Sequence, residues 1–450
     1  MYNVLILSIN ITSFLILSLI IHKTERNFKH ISVLNVFLFF LSILIFLGSI
    51  IGYCYHPIVT NTIRTNISDG IFNRSMLILS LSYLSIAMGV LYFHAILKKP
   101  FLLSCKKIIK IKFETNISIL LLFAVPFILI AIFYAIKTHF YESLFYAISG
   151  DISTAYIIRT QSTNALIQHG FLFTMPFKII FPIISSFFCL KYISSKKLKY
   201  LPLLLFFFLA TIFYSIFSVQ KYYMFQFFAL LLISVYIYKH GLKISLGKIV
   251  KYGLILFLLL IIVVMFYVGP TVERIVTIPI NLLTRISLAN YKVFLAYTDF
   301  STENNLFYGK TFSNVGQLLP YEPISITKII AKKYFTKPSD IQKNIVGSAP
   351  TFYAGEIFLN FGYLGIIFFS FMLGLLLSII NILFNDILLK YSSKDIVIIV
   401  VFSFFVVKLT EIITSSMWNM FHYLTILSVG IVIPILILLI SSKIKYKYKI

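Results

Sequence analysis

A set of basic side chains along the chain has the chemistry to bind a diphosphate. A guanidinium donates paired hydrogen bonds to phosphate oxygens and an ammonium adds a point charge, so both stabilise a diphosphate as a leaving group. Arg285 and Lys292 are seven residues apart, which places both on one face of a helix. A single such residue can equally be a lipid-headgroup anchor, so the prediction depends on the set. Its members are Arg159, Lys221, Arg274, Arg285 and Lys292, with His169 as an assisting residue.

A carboxylate is needed for the opposite task, the deprotonation of an attacking hydroxyl. Glu356 stands at the start of an apolar run, where partial burial would make it a stronger base. The alternative is a solvated carboxylate that the helix dipole favours in the first turn. Asp151 and His169 flank Arg159 and are assisting candidates, and His422 is a weaker one.

Two charged features lie inside apolar runs. Lys408 and Glu411 are three residues apart, so a helix would bring them together as an ion pair. A lone charge at the bilayer centre costs about 2.5–3.5 kcal/mol, which favours a structural pair over a proton pathway. Lys178 stands between Pro176 and Pro182 and has no assigned role.

Motifs for other chemistries are absent from the sequence. There is no Walker-type phosphate loop and no His-Glu-x-x-His, and Cys54, Cys105 and Cys189 lack metal-ligand spacing. We therefore expect no metal and no cofactor.

Composition places the chain in a membrane. Of its 450 residues 60% are hydrophobic and only 12% are charged, about half the charged fraction of a soluble domain. The formal net charge of +25 comes from Lys and Arg in short segments between apolar runs, which argues against nucleic-acid binding.

The apolar runs predict an all-α polytopic protein, residues 1–450 forming one integral membrane domain. Each run is long enough to cross a hydrocarbon core as a helix. About eleven spans are predicted: Tyr2–Ile21, Ile31–Tyr53, Ser75–Leu97, Asn116–Ile136, Gly170–Leu190, Leu201–Ser218, Tyr222–Tyr238, Tyr252–Gly269, Ile357–Phe384, Ile396–Ser415 and Phe421–Ser441.

The distribution of Lys and Arg predicts the orientation, because basic loops are retained in the cytoplasm. Most of the 39 basic residues fall in alternate connections and the tail, at Lys23–Lys29, Lys98–Lys112, Lys191–Lys199, Lys239–Lys251, Lys390–Lys394 and Lys443–Lys449. The amino terminus is then outside and the carboxyl terminus cytoplasmic. Arg64 and Arg74, in the opposite set of connections, are interpreted as headgroup anchors.

Two external loops follow from this topology, residues 137–169 and the much larger 270–355 between spans eight and nine. A connection this long usually carries function. Within it, Ser325–Phe335 sets Ile326, Ile329 and Ile330 against three lysines, which predicts a helix lying in the membrane interface. Prolines at 320, 323, 338 and 350 predict turns around it.

From the long loop onward the chain resembles the Wzy-type O-antigen polymerases, also called oligosaccharide repeat unit polymerases. The resemblance lies in Tyr308–Phe312, Leu319-Pro320, Gly347–Gly365 and Ser370–Gly374. Within these, Asn360-Phe361-Gly362 followed by Gly365 opens a span directly after a large external loop. Arg159 and Gly170 also resemble the Arg-x10-Gly motif described for such enzymes, which the long loop does not repeat.

The resemblance implies a GT-C-like glycosyltransferase of the bacterial inner membrane. It would polymerise undecaprenyl-diphosphate-linked oligosaccharides, which serve as donor and acceptor, on the outer face. A chain-length regulator protein is a further implied partner, and neither metal nor nucleotide sugar is needed. Arg159, Arg274 and Arg285 would then bind the diphosphate, assisted by Lys221 and Lys292, with Glu356 as the base.

Two other functions stay open. An O-antigen ligase uses the same donor with a different acceptor. A flippase for the same lipid-linked units belongs to another class, but proteins of that kind usually have short loops and two similar halves, and neither feature is visible here.

Overall fold

The computed structural model consists almost entirely of helices. It describes residues 2–25, 30–60, 63–65, 67–98, 111–115, 117–139, 141–142, 145–146, 149, 154, 157–158, 174–217, 221–243, 247, 251–255, 258, 272–312, 321–342, 348–384, 395–414 and 441–446.

Eleven longer helical segments are numbered here in chain order. They are α1 (Tyr2–Glu25), α2 (Val33–Cys54), α3 (Asp69–Leu97), α4 (Ile117–Thr138), α5 (Pro176–Ser195), α6 (Leu201–Phe217), α7 (Lys221–His240), α8 (Val272–Glu303), α9 (Ile326–Ile330 with the π-helical turn Ala331–Phe335), α10 (Tyr353–Asn381) and α11 (Ile396–Thr414).

The short elements complete the description. Pro57–Thr60 and Pro338–Gln342 are single helical turns, and Leu198–Tyr200 is a 3-10 turn. Two strands, β1 (Ile111–Thr115) and β2 (Ser441–Tyr446), pair antiparallel with Ile111 opposite Tyr446.

Within the described residues, seven helices are long and apolar enough to cross a membrane. They are Asn3–Glu25, Val33–Cys54, Asp69–Leu97, Leu120–Thr138, Pro176–Ser195, Leu198–Ile216 and Tyr353–Phe384. Each coincides with a predicted span, which confirms a polytopic, all-helical membrane protein. Of the other four predicted spans, two correspond to α7 and α11, and Tyr252–Gly269 and Phe421–Ser441 lie mostly or wholly outside the described residues.

The chain divides into two compact units. The first comprises Met1–Lys107, Pro279–Ile387 and Lys408–Ile426, and the second comprises Ile108–Ile278, Leu388–Val407 and Leu427–Ile450. The second unit contains α4 to α7, where aromatic rings fill the interior: Phe177 stacks on Tyr214 with centroids 4.6 Å apart, and Tyr134 packs against both.

Side-chain hydrogen bonds define the two ends of the first unit. At one end the Tyr53 hydroxyl lies 2.5 Å from Asn73 Oδ1 and 3.1 Å from the Asn3 carbonyl. At the other, the Asn381 amide donates to Glu25 at 2.6 Å. Because α1 runs from Asn3 to Glu25, these contacts stand at opposite ends of the helices. Described residues of the predicted long loop contact residues close to Tyr53 and Asn73: the Arg64 backbone N–H bonds the Tyr334 carbonyl, and the Tyr291 hydroxyl lies 2.9 Å from Ser75 Oγ.

α10 is broken in the middle, which the sequence did not predict. Gly362 has φ +64° and ψ −154°, a conformation that a side chain strongly disfavours. Tyr353 and Ser370 would be about 25 Å apart along a straight helix. Their hydroxyls are 2.7 Å apart, and Phe361 stacks on Phe369, so residues 353–361 fold back along residues 363–381. The predicted single span Ile357–Phe384 therefore needs correction: residues 357–361 belong to a separate half-helix.

α3 and α10 approach each other through glycines. A Cβ built on Gly89 would lie 2.2 Å from the Phe371 carbonyl oxygen, and one built on Gly374 would lie 2.3 Å from that of Ile86. Small residues permit such close contact in membranes, where packing replaces the hydrophobic drive. At the same crossing, Ser82, Tyr353 and Ser370 share a buried hydroxyl cluster.

We predict that Gly89→Ala destabilises the protein, because the new methyl group meets backbone that cannot rotate away. Overpacking of this kind costs about 1–3 kcal/mol. Gly70→Ala on the same helix is the matched control, since its Cβ would meet only Ser68 Oγ, at 3.7 Å. Thermal unfolding in detergent measures both variants. Equal midpoints for Gly89→Ala and the native protein would contradict the packing described.

Candidate functional site

Two of the stretches that carry the resemblance, Tyr308–Phe312 and the described part of Gly347–Gly365, meet in the first unit. The end of the half-helix 353–361 leaves backbone carbonyls without helical partners. The turn 307–312 supplies the missing donors: the Phe307 N–H bonds the Leu359 carbonyl at 3.2 Å, and the Tyr308 N–H bonds that of Asn360 at 3.0 Å. The break at Gly362 thus creates the site to which the turn is attached.

Three buried polar side chains fasten this turn to the half-helix. The Asn360 amide donates to Thr311 Oγ1 at 2.6 Å, and that hydroxyl donates to Glu356 Oε1 at 2.7 Å. Asn360 Oδ1 also accepts the Gly309 N–H at 2.8 Å. Glu356, Thr311 and Asn360 have no exposed surface. Linked bonds in such a dry site strengthen one another, and removing one member leaves the others unsatisfied.

Glu356, the predicted base, is wholly buried instead of partly buried. It occupies the first turn of α10, where the helix dipole favours a carboxylate, and it accepts the Thr311 hydroxyl. The reason is tertiary: Gly355 packs on Thr351 and Phe294, which closes this face of the half-helix. The geometry shows a carboxylate that positions the turn, and its role as a base stays a prediction.

The turn presents two exposed residues at its tip. Tyr308 has φ +49° and is 72% exposed, and Lys310 is also exposed. A non-glycine residue in the left-handed region costs of order 1–3 kcal/mol and persists only where surrounding structure imposes it. Here the Asn360 carbonyl and amide oxygens, which bind the N–H groups of residues 308 and 309, impose it. Such strain is typical of functional sites.

α8 packs against the same region. The Tyr291 hydroxyl lies 2.9 Å from Ser75 Oγ, and the Tyr297 hydroxyl donates to the Ala349 carbonyl at 3.2 Å. Burial raises the pKa of Tyr297, and the charge of Glu356 raises it further. Burial also raises the pKa of Tyr291. Both phenols are therefore neutral hydrogen-bonding groups across the physiological range.

Lys292 is the one predicted diphosphate ligand whose side chain the structure describes. It lies on α8 and is partly buried, and burial lowers the pKa of its ammonium. Among the described residues it has no ion pair or hydrogen bond. An ammonium held partly out of water without a counter-ion favours binding of an anion.

The side chains of the remaining predicted site residues lie outside the described part of the structure. Lys221 begins α7, and Arg274 and Arg285 lie in α8, so Arg285 and Lys292 share a helix as predicted. The side chains of these three fall outside the described part of the structure, and Arg159, His169, Asp151 and His422 lie outside it entirely.

Arg64 and Arg74 have different environments, although both were interpreted as headgroup anchors. Arg64 is exposed; its guanidinium donates to the Thr336 carbonyl, and its backbone N–H donates to the Tyr334 carbonyl at 3.1 Å. Arg74 is partly buried, with its guanidinium 5.1 Å from the centre of the Phe358 ring. Arg74 thus belongs to the region of the half-helix, which sequence alone gave no means of finding.

α9 confirms the helix predicted at Ser325–Phe335 but not the use of its apolar face. Ile326 and Ile330 are buried inside the protein, while Ile329 is 39% exposed. The Tyr334 hydroxyl donates to Asp299 Oδ2 at 2.8 Å, which attaches α9 to α8. Most of the apolar stripe is therefore accounted for by internal packing.

The charged pair predicted inside an apolar run is confirmed. Lys408 Nζ and Glu411 Oε1 are 2.5 Å apart on α11, and both side chains are largely buried. Lys178 lies 4.4 Å from the centre of the Tyr223 ring, a cation–π contact within the second unit.

Comparison with family models, with curated proteins and with solved structures found no match for this chain. The structure by itself identifies the class. The chain is a polytopic, all-helical membrane protein.

We predict that Lys292 loses its proton at a lower pH than an ordinary lysine, whose pKa is about 10.4. The sign follows from burial, which disfavours the charged ammonium. Amine-selective labelling of the native protein at a series of pH values, read by peptide mass spectrometry, measures it. Modification of Lys292 should rise at lower pH than in urea-unfolded protein. Coincident profiles would show that Lys292 is fully solvated.

Proposed function

We propose that this protein polymerises lipid-diphosphate-linked oligosaccharide repeat units into a bacterial surface polysaccharide such as O-antigen. The growing glycan would be transferred from its undecaprenyl diphosphate to a sugar hydroxyl of an incoming unit, on the outer face of the inner membrane. This proposal includes a GT-C-like arrangement of about eleven spans and a chain-length regulator as partner.

One observation carries most of the proposal: the hydrogen-bonded chain of Asn360, Thr311 and Glu356. Its members come from two of the stretches that resemble the Wzy-type polymerases, and Thr311 is 45 and 49 residues away in the sequence from Glu356 and Asn360. The resemblance was drawn from residue types and order alone. That these residues form one buried network supports the proposal that both stretches contribute to one site.

The surroundings of the network suit a charged lipid substrate. Lys292, Lys310 and Arg74 supply positive charge in the first unit, and Arg74 lies near the start of the apolar helix α3, over a ring of α10. A guanidinium or ammonium can hold a diphosphate as leaving group without a metal. In the proposed mechanism these side chains bind the diphosphate, and Glu356 accepts the acceptor hydroxyl proton or positions the turn that faces the acceptor.

One feature favours a transporter as the second candidate. Broken helices are common at the binding sites of secondary transporters, and α10 is broken at Gly362. A flippase would move the same lipid-linked units without forming a glycosidic bond. An O-antigen ligase is distinguished by its acceptor, so the glycans made by variant strains separate the three.

Orientation is the first test. A periplasmic-type reporter, such as alkaline phosphatase, fused after Lys310 should be active, and a cytoplasmic-type reporter at the same site should be silent, because most basic residues are retained in the cytoplasm. A fusion at Lys98 is the control with the opposite expected result. Reporter activities reversed at these two positions would invert the topology and exclude catalysis on the outer face.

The second test examines the polysaccharide of a strain that carries only variant protein. Glu356→Gln keeps an acceptor for Thr311 but removes basicity, so loss of a general base should slow polymerisation by about 10²–10⁴-fold. Thr311→Val keeps the carboxylate and breaks the hydrogen bond that holds the turn. Gel analysis should then show lipid A-core bearing a single repeat unit in place of long chains.

Exposed Glu322, in the same segment, provides the matched control as Glu322→Gln. Normal long chains from Glu356→Gln protein, expressed at native levels, would rule out Glu356 as the base. Bare core in a strain lacking the protein would instead favour the ligase or the flippase over the polymerase.

A further inference from the structure

The environment of Arg74 includes a buried aromatic ring, which a lipid-headgroup anchor does not need. It lies in the second turn of α3, and its guanidinium rests over the Phe358 ring at 5.1 Å from the centroid. Phe358 is only 3% exposed and belongs to the half-helix 353–361. The ring therefore fixes one face of the guanidinium by a cation–π contact and leaves its edges, which carry the N–H groups, for other partners.

Those edges have no partner among the residues that the structure describes. Arg74 makes the ring contact, but no hydrogen bond or ion pair links it to another described residue, whereas Arg64 donates to the Thr336 carbonyl. A partly buried guanidinium carries five N–H donors and a permanent charge, and both are costly to leave unpaired away from water. A planar, partly shielded fork of donors is the group that binds phosphate oxygens in pairs.

An apolar groove lies further along the helix that carries Arg74. Phe358 packs edge-on against Tyr363, with centroids 4.9 Å apart, and the next residue, Leu364, is one of those that line the groove. The groove has a volume of about 410 Å³ and runs along α3 and the second half of α10. Its walls are almost wholly apolar and are formed by Ser85, Met88, Leu364, Ile367, Phe368 and Phe371.

We propose that Arg74 binds the phosphate of a long-chain lipid whose hydrocarbon chain lies in this groove. The two features are complementary to the two parts of one molecule: a fixed cation near the start of α3 and an apolar groove further along α3 and α10. A free phosphate would bind the guanidinium and leave the groove empty. The occupant is therefore a polyprenyl diphosphate or a lipid of that chemistry.

This inference rests on the proposed function for the identity of the lipid, and it adds a residue that neither the resemblance nor the sequence motifs assign. Arg74 lies on α3, far in sequence from the diphosphate candidates of α8. The break at Gly362 explains why it participates, since only the folded-back half-helix brings Phe358 under its guanidinium.

The test is binding by purified full-length protein in uncharged detergent, with three probes: a polyprenyl diphosphate, the corresponding polyprenol and inorganic diphosphate. The native protein should bind the first at least about tenfold more tightly than either of the others. Arg74→Lys, which keeps the charge but loses the fork, should weaken polyprenyl diphosphate binding by about tenfold or more. Arg64→Lys is the matched control and should leave the affinity unchanged.

Two further variants separate the head site from the groove. Phe358→Leu removes the ring under the guanidinium and should weaken the diphosphate lipid while leaving the polyprenol unaffected. Met88→Trp fills the groove and should weaken both lipids equally. Thermal unfolding of each variant tests whether it is folded. If Phe358→Leu protein is unfolded, the binding measured for Arg74→Lys decides whether the proposal holds.

Three results would overturn the proposal: native affinity in Arg74→Lys protein, equal affinity for polyprenol and polyprenyl diphosphate, or inorganic diphosphate binding as tightly as the lipid. The last would show that the site takes a free anion. None of these measurements involves polymerisation. Loss of the proposed function in the gel test, with binding that still depends on Arg74, would leave the lipid site standing in a protein of another activity.

Discussion

The break of α10 at Gly362 leaves backbone carbonyl groups without helical partners, and the rest of the site supplies their hydrogen-bond donors. A helix that ends inside a protein leaves carbonyl oxygens unbonded, and in a membrane protein no bulk water is at hand to replace the missing donors. Backbone N–H groups of the turn 307–312 and the Asn360 side chain meet this need. The same contacts bury Glu356 and force Tyr308 into the left-handed region. One break in the helix, at a glycine, thus determines the placement of the turn, the carboxylate and the exposed tip.

Close packing of helices keeps that arrangement rigid. Gly48 and Gly52, one turn apart on α2, let α8 approach so closely that a Cβ on Gly48 would lie 2.2 Å from the Ser287 carbonyl oxygen. Gly89 and Gly374 play the same part between α3 and α10. Hydroxyl and amide groups then bond across the contacts, as between Tyr291 and Ser75 or Asn290 and the Leu44 carbonyl. Small side chains and a few buried polar ones replace the hydrophobic drive that lipid cannot supply.

The basic residues fall into two groups: a few partly buried cations in the first unit, and many more in the connections between helices. Lys292 and Arg74 are partly buried and form no ion pair or hydrogen bond with another described residue, whereas the buried carboxylate of Glu356 already accepts the Thr311 hydroxyl. Most other basic residues fall in connections that the sequence assigns to the cytoplasmic side. The division suits two different purposes: basic loops that fix the orientation, and a small number of partly shielded cations able to hold an anion.

The sequence by itself determined the features that depend on local composition. Continuous apolar runs identified the membrane helices, because a span must satisfy its own backbone, and seven of them are confirmed. Helical spacing predicted the pair Lys408 and Glu411 and the helix at 326–335, because such contacts are set by 3.6 residues per turn. It also selected Tyr308–Phe312 and Gly347–Gly365 as related stretches.

Tertiary structure alone decided how these pieces meet. Nothing local distinguishes Gly362 from the other glycines of apolar runs, so the return of residues 353–361 along α10 could not be foreseen, and neither could the complete burial of Glu356. Ile326 and Ile330 face protein where the sequence predicted lipid, because hydrophobic periodicity records a buried face without saying what covers it. The position of Arg74 over Phe358, 284 residues later in the chain, likewise exists only in the folded protein, since it depends on two helices that cross.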